Sequence, residues 1–321
     1  MLRSAGRIIT GIRNRFLNII DPPILVLIYH RVTMLSSDPQ LLAVSPDNFL
    51  NQMFYIKDNF PVLRFEDDWS NLKETSVVIT FDDGYADNVR EALPILEKVG
   101  VPATFFITTG DLGSIREFWW DELERILLIK REFPSTFELL DERFRRHWPT
   151  KSCDERSALY QEIHQLIKLV DVARREDWLI QLREWADIAE EGRITHRIMT
   201  TDELQRLALS DVATIGAHTV SHTPLAMLSS DEQQREIVES KRQLEELTGR
   251  DVTVFSYPFG GKSDYTSETV RLCRKAGFVK AASNFPGQAH RWTDPFQLPR
   301  QLVRNWNVNT FAVKMKGFFS L

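Results

Sequence analysis

The sequence lacks several features that mark particular protein classes. Two cysteines in 321 residues, Cys153 and Cys273, are too few for a disulfide framework, so we expect free thiols and a reducing compartment. A net charge of −5, with no cluster of Lys and Arg interleaved with aromatic residues, argues against generic nucleic-acid binding. No internal repeat is evident. With 43% hydrophobic residues, the chain can form a substantial core.

The first 20 residues also lack the uninterrupted apolar stretch of a signal peptide. Arg7, Arg13 and Arg15 interrupt the apolar residues, and no small-residue cleavage site follows, so we expect a cytoplasmic protein. The apolar residues share one helical stripe, as in helices that lie on anionic membranes: Ile8, Ile9, Ile12, Phe16, Leu17, Ile19 and Ile20. Residues 1–20 are therefore predicted to form an amphipathic helix. It would either contact the inner membrane face or pack against the rest of the fold.

An apolar, β-branched segment at residues 77–81 ends at two adjacent carboxylates. The segment is too short for a helix and predicts a strand. Asp82 and Asp83 repel each other and need a cation, and Gly84 lets the backbone turn so that the two side chains can point to different partners. One carboxylate could bind a metal while the other faces a reacting group. Alone, this Asp-Asp-Gly sequence would more often be a solvated turn.

His218 and His222 lie four residues apart and follow another apolar segment. On a helical turn, this spacing would place both imidazoles on one face. Imidazole and carboxylate together suit zinc or a similar first-row ion, with positions left for water and substrate. Such a pair is usually a surface or core pair. Its combination with the two carboxylates predicts a three-ligand site for one divalent metal ion, zinc before cobalt, nickel or manganese.

The apolar segments share a pattern, because each ends in a polar or turn-forming group. They are residues 24–29 before His30, 77–81 before the carboxylates, 212–217 before His218 and 252–257 before Pro258. In β/α barrels the carboxyl ends of the strands build the active site. The pattern therefore predicts an α/β fold with these residues together at one end of a barrel.

These motifs resemble the polysaccharide deacetylase family, also called the NodB-homology or carbohydrate esterase 4 family. The resemblance spans roughly residues 24–112 and 198–303, and it rests on Thr80-Phe81-Asp82-Asp83-Gly84, His218-Thr219-Val220-Ser221-His222 and Phe255-Ser256-Tyr257-Pro258-Phe259-Gly260. It implies a distorted (β/α) barrel of NodB type and a metal-dependent deacetylase.

The resemblance also implies roles for individual residues. Asp82 would be the general base, and the metal ligands would be Asp83, His218 and His222. The segment Tyr257, Pro258, Phe259 and Gly260 would line the site, with the Phe259 N–H as hydrogen-bond donor to the oxyanion.

The chain departs from the family pattern in two places. Ser256 stands where the family has an Arg that pairs with the base, and Arg300 is our candidate for the missing Arg. No His after residue 281 fits the spacing of the family's catalytic acid. However, residues 27–32 resemble the N-terminal segment of a circularly permuted branch, in which the acid precedes the first motif. We assign that role to His30. The alternative is a buried strand-end histidine bonded to the backbone.

The length exceeds what a seven- or eight-stranded barrel needs by about one small helical unit. Residues 117–197 are rich in Glu, Arg, Leu and Trp at helical spacing, which predicts a helical insertion between barrel parts at 21–116 and 198–321. Its first aromatic residues, Phe118, Trp119 and Trp120, either stack on sugar rings or, the reading that we favour, serve as packing anchors. Residues 231–248 predict an amphipathic helix.

We therefore predict a deacetylase that removes the N-acetyl group from an N-acetylhexosamine in a glycan or lipid-linked saccharide precursor. The metal would activate water, with an Asp base and a His acid. A cytoplasmic location favours a biosynthetic precursor presented at the inner membrane face. Two alternatives stay open, a catalytically silent carbohydrate-binding module of the same fold and an amidase that acts on another acyl group.

Overall fold

A computed structural model describes residue 18, residues 20–129 and residues 132–319 of the chain. Contacts between residues divide the chain into two compact units. The first unit comprises Met1–Leu112 and Met199–Leu321, and the second unit is Gly113–Ile198. The predicted boundaries after residues 20, 116 and 197 are not tested by this division and stay predictions.

The strands form one parallel sheet and two small pairs. They are β1 (Ile24–Tyr29), β2 (Arg31–Val32), β3 (Ala43–Val44), β4 (Val62–Leu63), β5 (Ser76–Phe81), β6 (Ala103–Ile107), β7 (Thr136–Asp141), β8 (Phe144–Pro149), β9 (Ala213–Ala217), β10 (Val254–Ser256), β11 (Lys280–Ala282) and β12 (Gln301–Leu302). The sheet has the order β11-β10-β9-β6-β5-β1-β12, β4 also pairs with β5, and every pair in it is parallel. Parallel pairing brings the carboxyl ends of these strands to the same edge, as the predicted barrel requires.

Most of the described helices begin at a side-chain cap. They are α1 (Pro46–Asn59), α2 (Leu93–Val99), α3 (Trp119–Glu124), α4 (Cys153–Ile167), α5 (Val172–Ala186), α6 (Thr201–Leu209), α7 (Ser230–Thr248), α8 (Ser267–Lys275) and α9 (Val308–Phe318). The predicted helix over residues 231–248 corresponds to α7. It begins with a capping box between Ser229 and Glu232 and ends at Gly249, whose φ of 66° favours glycine.

The alternation of side chains along the strands produces two apolar clusters. Side chains of Val26, Val78, Phe106 and Val254 belong to the smaller cluster. Their chain neighbours, such as Leu27, Ile79, Phe105 and Phe255, belong to the larger cluster, which also contains apolar residues of the helices. Because successive strand residues point to opposite faces, β1, β5, β6 and β10 each contribute to both clusters. This explains why these strands are continuous apolar runs.

The second unit contains more than helices. Besides α3, α4 and α5, residues 136–149 form an antiparallel hairpin of β7 and β8. The prediction of a helical segment is therefore wrong for these residues, where alternating exposed and buried side chains mark β7. Phe118, Trp119 and Trp120 are buried, and the rings of Phe118 and Trp120 are stacked with centroids 4.6 Å apart. Both features agree with a packing role.

The predicted N-terminal helix lies outside the described residues except for Asn18 and Ile20, so its contact with a membrane stays a prediction. Of the helices that the structure describes, none combines the length and apolarity that a membrane span requires. Cys153 is exposed and Cys273 is buried, and both are free thiols, as expected.

Gly216 tests the packing between strands. A Cβ at this position would lie 2.4 Å from Cδ1 of Phe106 and 3.1 Å from Cγ2 of Val254. We expect Gly216→Ala to lower the free energy of unfolding by about 1–3 kcal/mol, because a buried ring would have to move. Gly317→Ala on α9 is the matched control, because its Cβ would meet nothing within 4 Å. Urea denaturation of both variants measures the difference. Equal midpoints would contradict this account of the packing.

Candidate active site

Polar side chains gather at the carboxyl end of the parallel sheet. His30 follows β1, Asp82 follows β5 and His218 follows β9. All three continue the alternation of the smaller apolar cluster, so they face the same side of the sheet as Val26, Val78 and Phe106. Asp82 and His218 are almost fully buried, at 3% and 1% exposure. The strands therefore bring together residues that are up to 188 positions apart in the chain, from His30 to His218.

Asp83, His218 and His222 form a group that could hold a metal ion. One potential ligand atom from each residue lies within 4.8 Å of the others, and all three residues are buried. Asp83 Oδ1 is 3.2 Å from Nε2 of His222 and 3.6 Å from Nε2 of His218. One carboxylate and two imidazoles are a donor set that zinc and similar ions favour, and three ligands leave positions for water and substrate. The residues present therefore fit a divalent metal ion.

The two histidines lie on a loop after β9, so the predicted helical turn is wrong. Thr219 and His222 have positive φ angles of 64° and 52°, which interrupt any helix. The loop is held by hydrogen bonds instead. Nδ1 of His218 is 2.7 Å from the carbonyl oxygen of Ser256 on β10, which leaves Nε2 directed towards the carboxylates. Fixing one ring nitrogen on a carbonyl orients the other, as is common for metal-binding histidines.

The adjacent carboxylates point to different partners because the backbone turns between them. Asp83 has a φ of 76° and Gly84 a φ of 94°. The turn directs Asp83 to the histidines, whereas Asp82 continues the alternation of β5 and contacts Arg300. Gly84 N–H donates to the Asp82 carbonyl at 3.0 Å, which stabilises the turn. The two carboxylates thus point to different partners, and their predicted roles at a metal and at a reacting group stay predictions.

Arg300 lies against Asp82, although it is 218 residues away in the chain. Its two terminal nitrogens donate to the two carboxylate oxygens of Asp82, each at 2.7 Å. Nε donates to the Ser283 carbonyl at 2.7 Å, and Nη2 donates to the Ser256 hydroxyl at 2.9 Å. Ser256, where the resemblance leads us to expect an Arg, donates from its hydroxyl to Asp82 Oδ2 at 3.1 Å. Arg300 thus supplies a bidentate partner for this carboxylate.

The surrounding charges shift the pKa values of the site. Burial disfavours the charged form of Asp82, but the charges of Arg300 and His218 outweigh burial and hold the pKa of Asp82 below its ordinary value. The pKa of Asp83 is also well below its ordinary range, because hydrogen bonds from His218 and His222 outweigh burial. Both carboxylates are therefore ionised at neutral pH.

His30 is half-buried at the end of β1, and the charges of Asp83, Asp82, Arg300 and His218 act on it. Burial lowers the pKa of its imidazole below the ordinary value, and the two carboxylates oppose that effect. Nδ1 is buried and has no hydrogen-bond partner among the described residues, so the alternative of a ring bonded to the backbone finds no support at this atom. The main chain is anchored instead, because the Asn88 side chain donates to the His30 carbonyl at 2.8 Å.

In the segment after β10, the side chains of Tyr257 and Phe259 have different surroundings. Tyr257 is fully buried in the larger apolar cluster, and its hydroxyl donates to the Phe296 carbonyl at 2.9 Å. Its side chain therefore packs in the core and does not line the site, as the alternation after Ser256 requires.

The Phe259 ring contacts His222, with centroids 4.9 Å apart, and Phe259 has a φ of 58°. Pro258 and Gly260 are both buried. Gly260 has a φ of 63°, and a Cβ there would lie 2.7 Å from the Asn284 nitrogen.

Sequence reasoning missed Glu236, which lies on α7 and binds the histidine loop. Its carboxylate accepts hydrogen bonds from the main-chain N–H groups of Val220 and Ser221, at 2.8 and 2.9 Å. In the sequence it is one of many charged residues on an amphipathic helix, so no local signal distinguishes it.

Comparisons with known sequences point to one family. A family model described as polysaccharide deacetylase matches residues 70–133 and 183–280, which together make up about half of the chain. The Bacillus subtilis (strain 168) protein YxkH, whose name assigns it to the polysaccharide deacetylases, is 22% identical over 230 residues, or 72% of this chain. The match spans about half of that relative, 52% of its length.

Solved structures show the same fold at lower identity. IcaB from Ammonifex degensii has a TM-score of 0.59 and 17% identity, with 94% of this chain and 98% of that chain covered. The Streptococcus pyogenes deacetylase PplD, solved in complex with acetate, has a TM-score of 0.57 and 17% identity, with 92% and 98% covered. These likenesses concern the fold alone. They confirm the predicted distorted (β/α) barrel.

Arg300 provides a test of the buried ion pair. We expect Arg300→Met to lower the free energy of unfolding by about 3–5 kcal/mol, because the Asp82 carboxylate would stay buried without its partner. The double variant Asp82→Asn with Arg300→Met should lose less than the sum of the two single variants. Chemical denaturation measures both quantities. Arg271→Met, at an exposed pair with Glu268, is the control, and an equally small effect at Arg300 would contradict the assignment.

Proposed function

Because the chain belongs to the polysaccharide deacetylase family, we propose that it is a metal-dependent hydrolase of the N-acetyl group of an N-acetylhexosamine. The observation that carries the proposal is the division of two adjacent buried carboxylates. Asp83 faces two histidines, and Asp82 faces an arginine. A purely structural ion cluster has no need for two carboxylates in such different settings, whereas hydrolysis needs one group for a metal and another for a proton.

The metal ion, which we propose to be zinc, would be held by Asp83, His218 and His222. When bound, such an ion lowers the pKa of water and polarises an acyl carbonyl. Cobalt, nickel or manganese are alternatives for the same donor set.

Asp82 acts as the general base in this proposal. Its carboxylate is ionised, and the bidentate contact with Arg300 holds it in one orientation at the edge of the ligand group. It accepts the proton of the water that attacks the acetamide carbonyl. General base catalysis by a positioned carboxylate contributes about 10²–10⁴-fold to the rate.

Two further groups complete the reaction. The main-chain N–H of Phe259 donates a hydrogen bond to the oxyanion, an interaction that contributes about 10²–10³-fold in other acyl-transfer enzymes. His30 donates a proton to the departing amine; burial lowers the pKa of its imidazole, and the charges of Asp83 and Asp82 oppose that effect. The products are acetate and a free amino sugar.

The contact of Arg300 with Asp82 weakens the case for a catalytically silent module. That alternative is suggested by Ser256 in place of the family Arg and by the missing C-terminal His. In our proposal Arg300 replaces the Arg and His30 replaces the His. For the substrate, we propose a glycan or lipid-linked saccharide precursor on the cytoplasmic side, with residues 1–20 as a peripheral membrane contact. An amidase specific for another acyl group would bind zinc but release no acetate from the substrates in the test below.

Asp82→Asn separates catalysis from metal binding. We expect the variant to bind zinc with nearly wild-type affinity, while acetate release falls by about 10²–10⁴-fold, since the base is lost and the ligands remain. Calorimetry with zinc and acetate release from N-acetylhexosamine oligosaccharides and lipid-linked saccharides measure the two effects. Asp83→Ala is the complementary variant and should lose zinc binding. Near wild-type turnover by Asp82→Asn would refute the proposed base.

His30→Gln tests the acid with two kinds of leaving group. An amine leaves only when protonated, so the variant should lose about 10²–10⁴-fold on the acetamide substrate. A 4-nitrophenolate leaves without a proton, so hydrolysis of 4-nitrophenyl acetate should change far less. Asp82→Asn should impair both reactions. Equal losses of His30→Gln on both substrates would contradict a role in protonation.

A further inference from the structure

The histidine loop is strained, and something must hold it in place. Thr219 and His222 both have positive φ, and for a β-branched residue such as Thr219 this backbone conformation is a true outlier. A backbone conformation of this kind is unfavourable and persists only where the surroundings determine it. The same loop carries two of the three candidate metal ligands.

Hydrogen bonds hold the loop from the side of β6. Thr109 N–H donates to the Thr219 carbonyl at 3.2 Å, and Gly110 N–H donates to the Val220 carbonyl at 2.9 Å. The two segments approach so closely that a Cβ on Gly110 would lie 2.6 Å from the Val220 oxygen. These bonds satisfy carbonyl groups of the loop and leave its N–H groups to other acceptors.

Glu236 supplies acceptors for N–H groups of the loop. Oε2 accepts from the N–H groups of Val220 and Ser221, at 2.8 and 2.9 Å, and Oε1 accepts from the Ser221 hydroxyl at 2.8 Å. These are charge-assisted hydrogen bonds to a carboxylate, which are shorter and stronger than neutral ones. All three donors lie between His218 and His222.

The position of Glu236 is itself fixed by the core. The next residue on α7, Ile237, is fully buried, and Ser240 one turn later is also fully buried. Gln233, one turn earlier, bonds to the Leu228 carbonyl and to Thr269 on α8. The helix therefore presents a carboxylate at a defined place on the loop.

We propose that Glu236 is a positioning residue that sets the geometry of the metal ligands by holding the loop between His218 and His222. The inference rests on the proposed metal site and extends it to a residue that touches neither metal nor substrate. Outer residues that orient metal ligands typically change metal affinity by about 10–100-fold when they are lost. A merely structural role would change the stability of the fold and leave the affinity of the folded protein unaltered.

The test compares metal binding by the full-length protein with two substitutions at this position. We expect Glu236→Ala to weaken zinc binding by about 10–100-fold in calorimetry and to alter the visible absorption spectrum of the cobalt-substituted protein. Glu236→Gln should be milder, because its amide oxygen can still accept from the two N–H groups. Glu239→Ala is the matched control on the same helix, where the carboxylate pairs with Arg242 at the surface. It should leave both readouts unchanged.

The outcomes separate this inference from the proposed function. Zinc affinity of Glu236→Ala within twofold of wild type, with an unchanged cobalt spectrum, would overturn the positioning role. Weakened binding without any deacetylation by the wild type would support the role of Glu236 and count against the proposed function. A wild-type protein that binds no divalent metal would overturn both.

Discussion

Two adjacent buried carboxylates impose the constraint on which the site depends. Asp82 and Asp83 are each 3% exposed, and two like charges so placed need separate compensation. The structure meets this need with two kinds of group, the guanidinium of Arg300 at one carboxylate and the imidazoles of His218 and His222 at the other. The residue types that surround the pair follow from that requirement.

The compensation requires an unusual backbone. A regular strand would send Asp83 to the opposite face from Asp82, into the apolar cluster beside the helices. The positive φ angles of Asp83 and Gly84 redirect it, and those of Thr219 and His222 bring the second histidine towards it. Such strain is typical of functional sites, where neighbouring structure must hold it. In the histidine loop, the hydrogen bonds that Thr109 and Gly110 donate just after β6 and those that Glu236 accepts provide that support.

Much of the fold could be read from local patterns. The predicted apolar segments at 24–29, 77–81, 212–217 and 252–257 correspond to β1, β5, β9 and β10, because buried parallel strands are continuous apolar runs that end at polar residues. Residue spacing gave a wrong prediction where two kinds of local structure share the same spacing. Residues four apart can lie on a helix or on a tight loop, and only the backbone angles at Thr219 and His222 distinguish the two. Tyr257 was misassigned because its motif was considered without the alternation of β10, which turns its side chain into the core.

The sequence by itself determined the chemical inventory: the paired carboxylates, the histidines, the strand ends that carry them and the family to which they belong. It did so because each of these signals is local, confined to a few neighbouring residues with a defined period. Only the tertiary structure decided the partners. Arg300 meets Asp82 across 218 residues, and Glu236 reaches the histidine loop from a helix whose charged face has no distinguishing pattern. Contacts of this kind depend on how β12 pairs with β1 and how α7 packs against the sheet, and the arrangement of distant segments leaves no periodic trace in the chain.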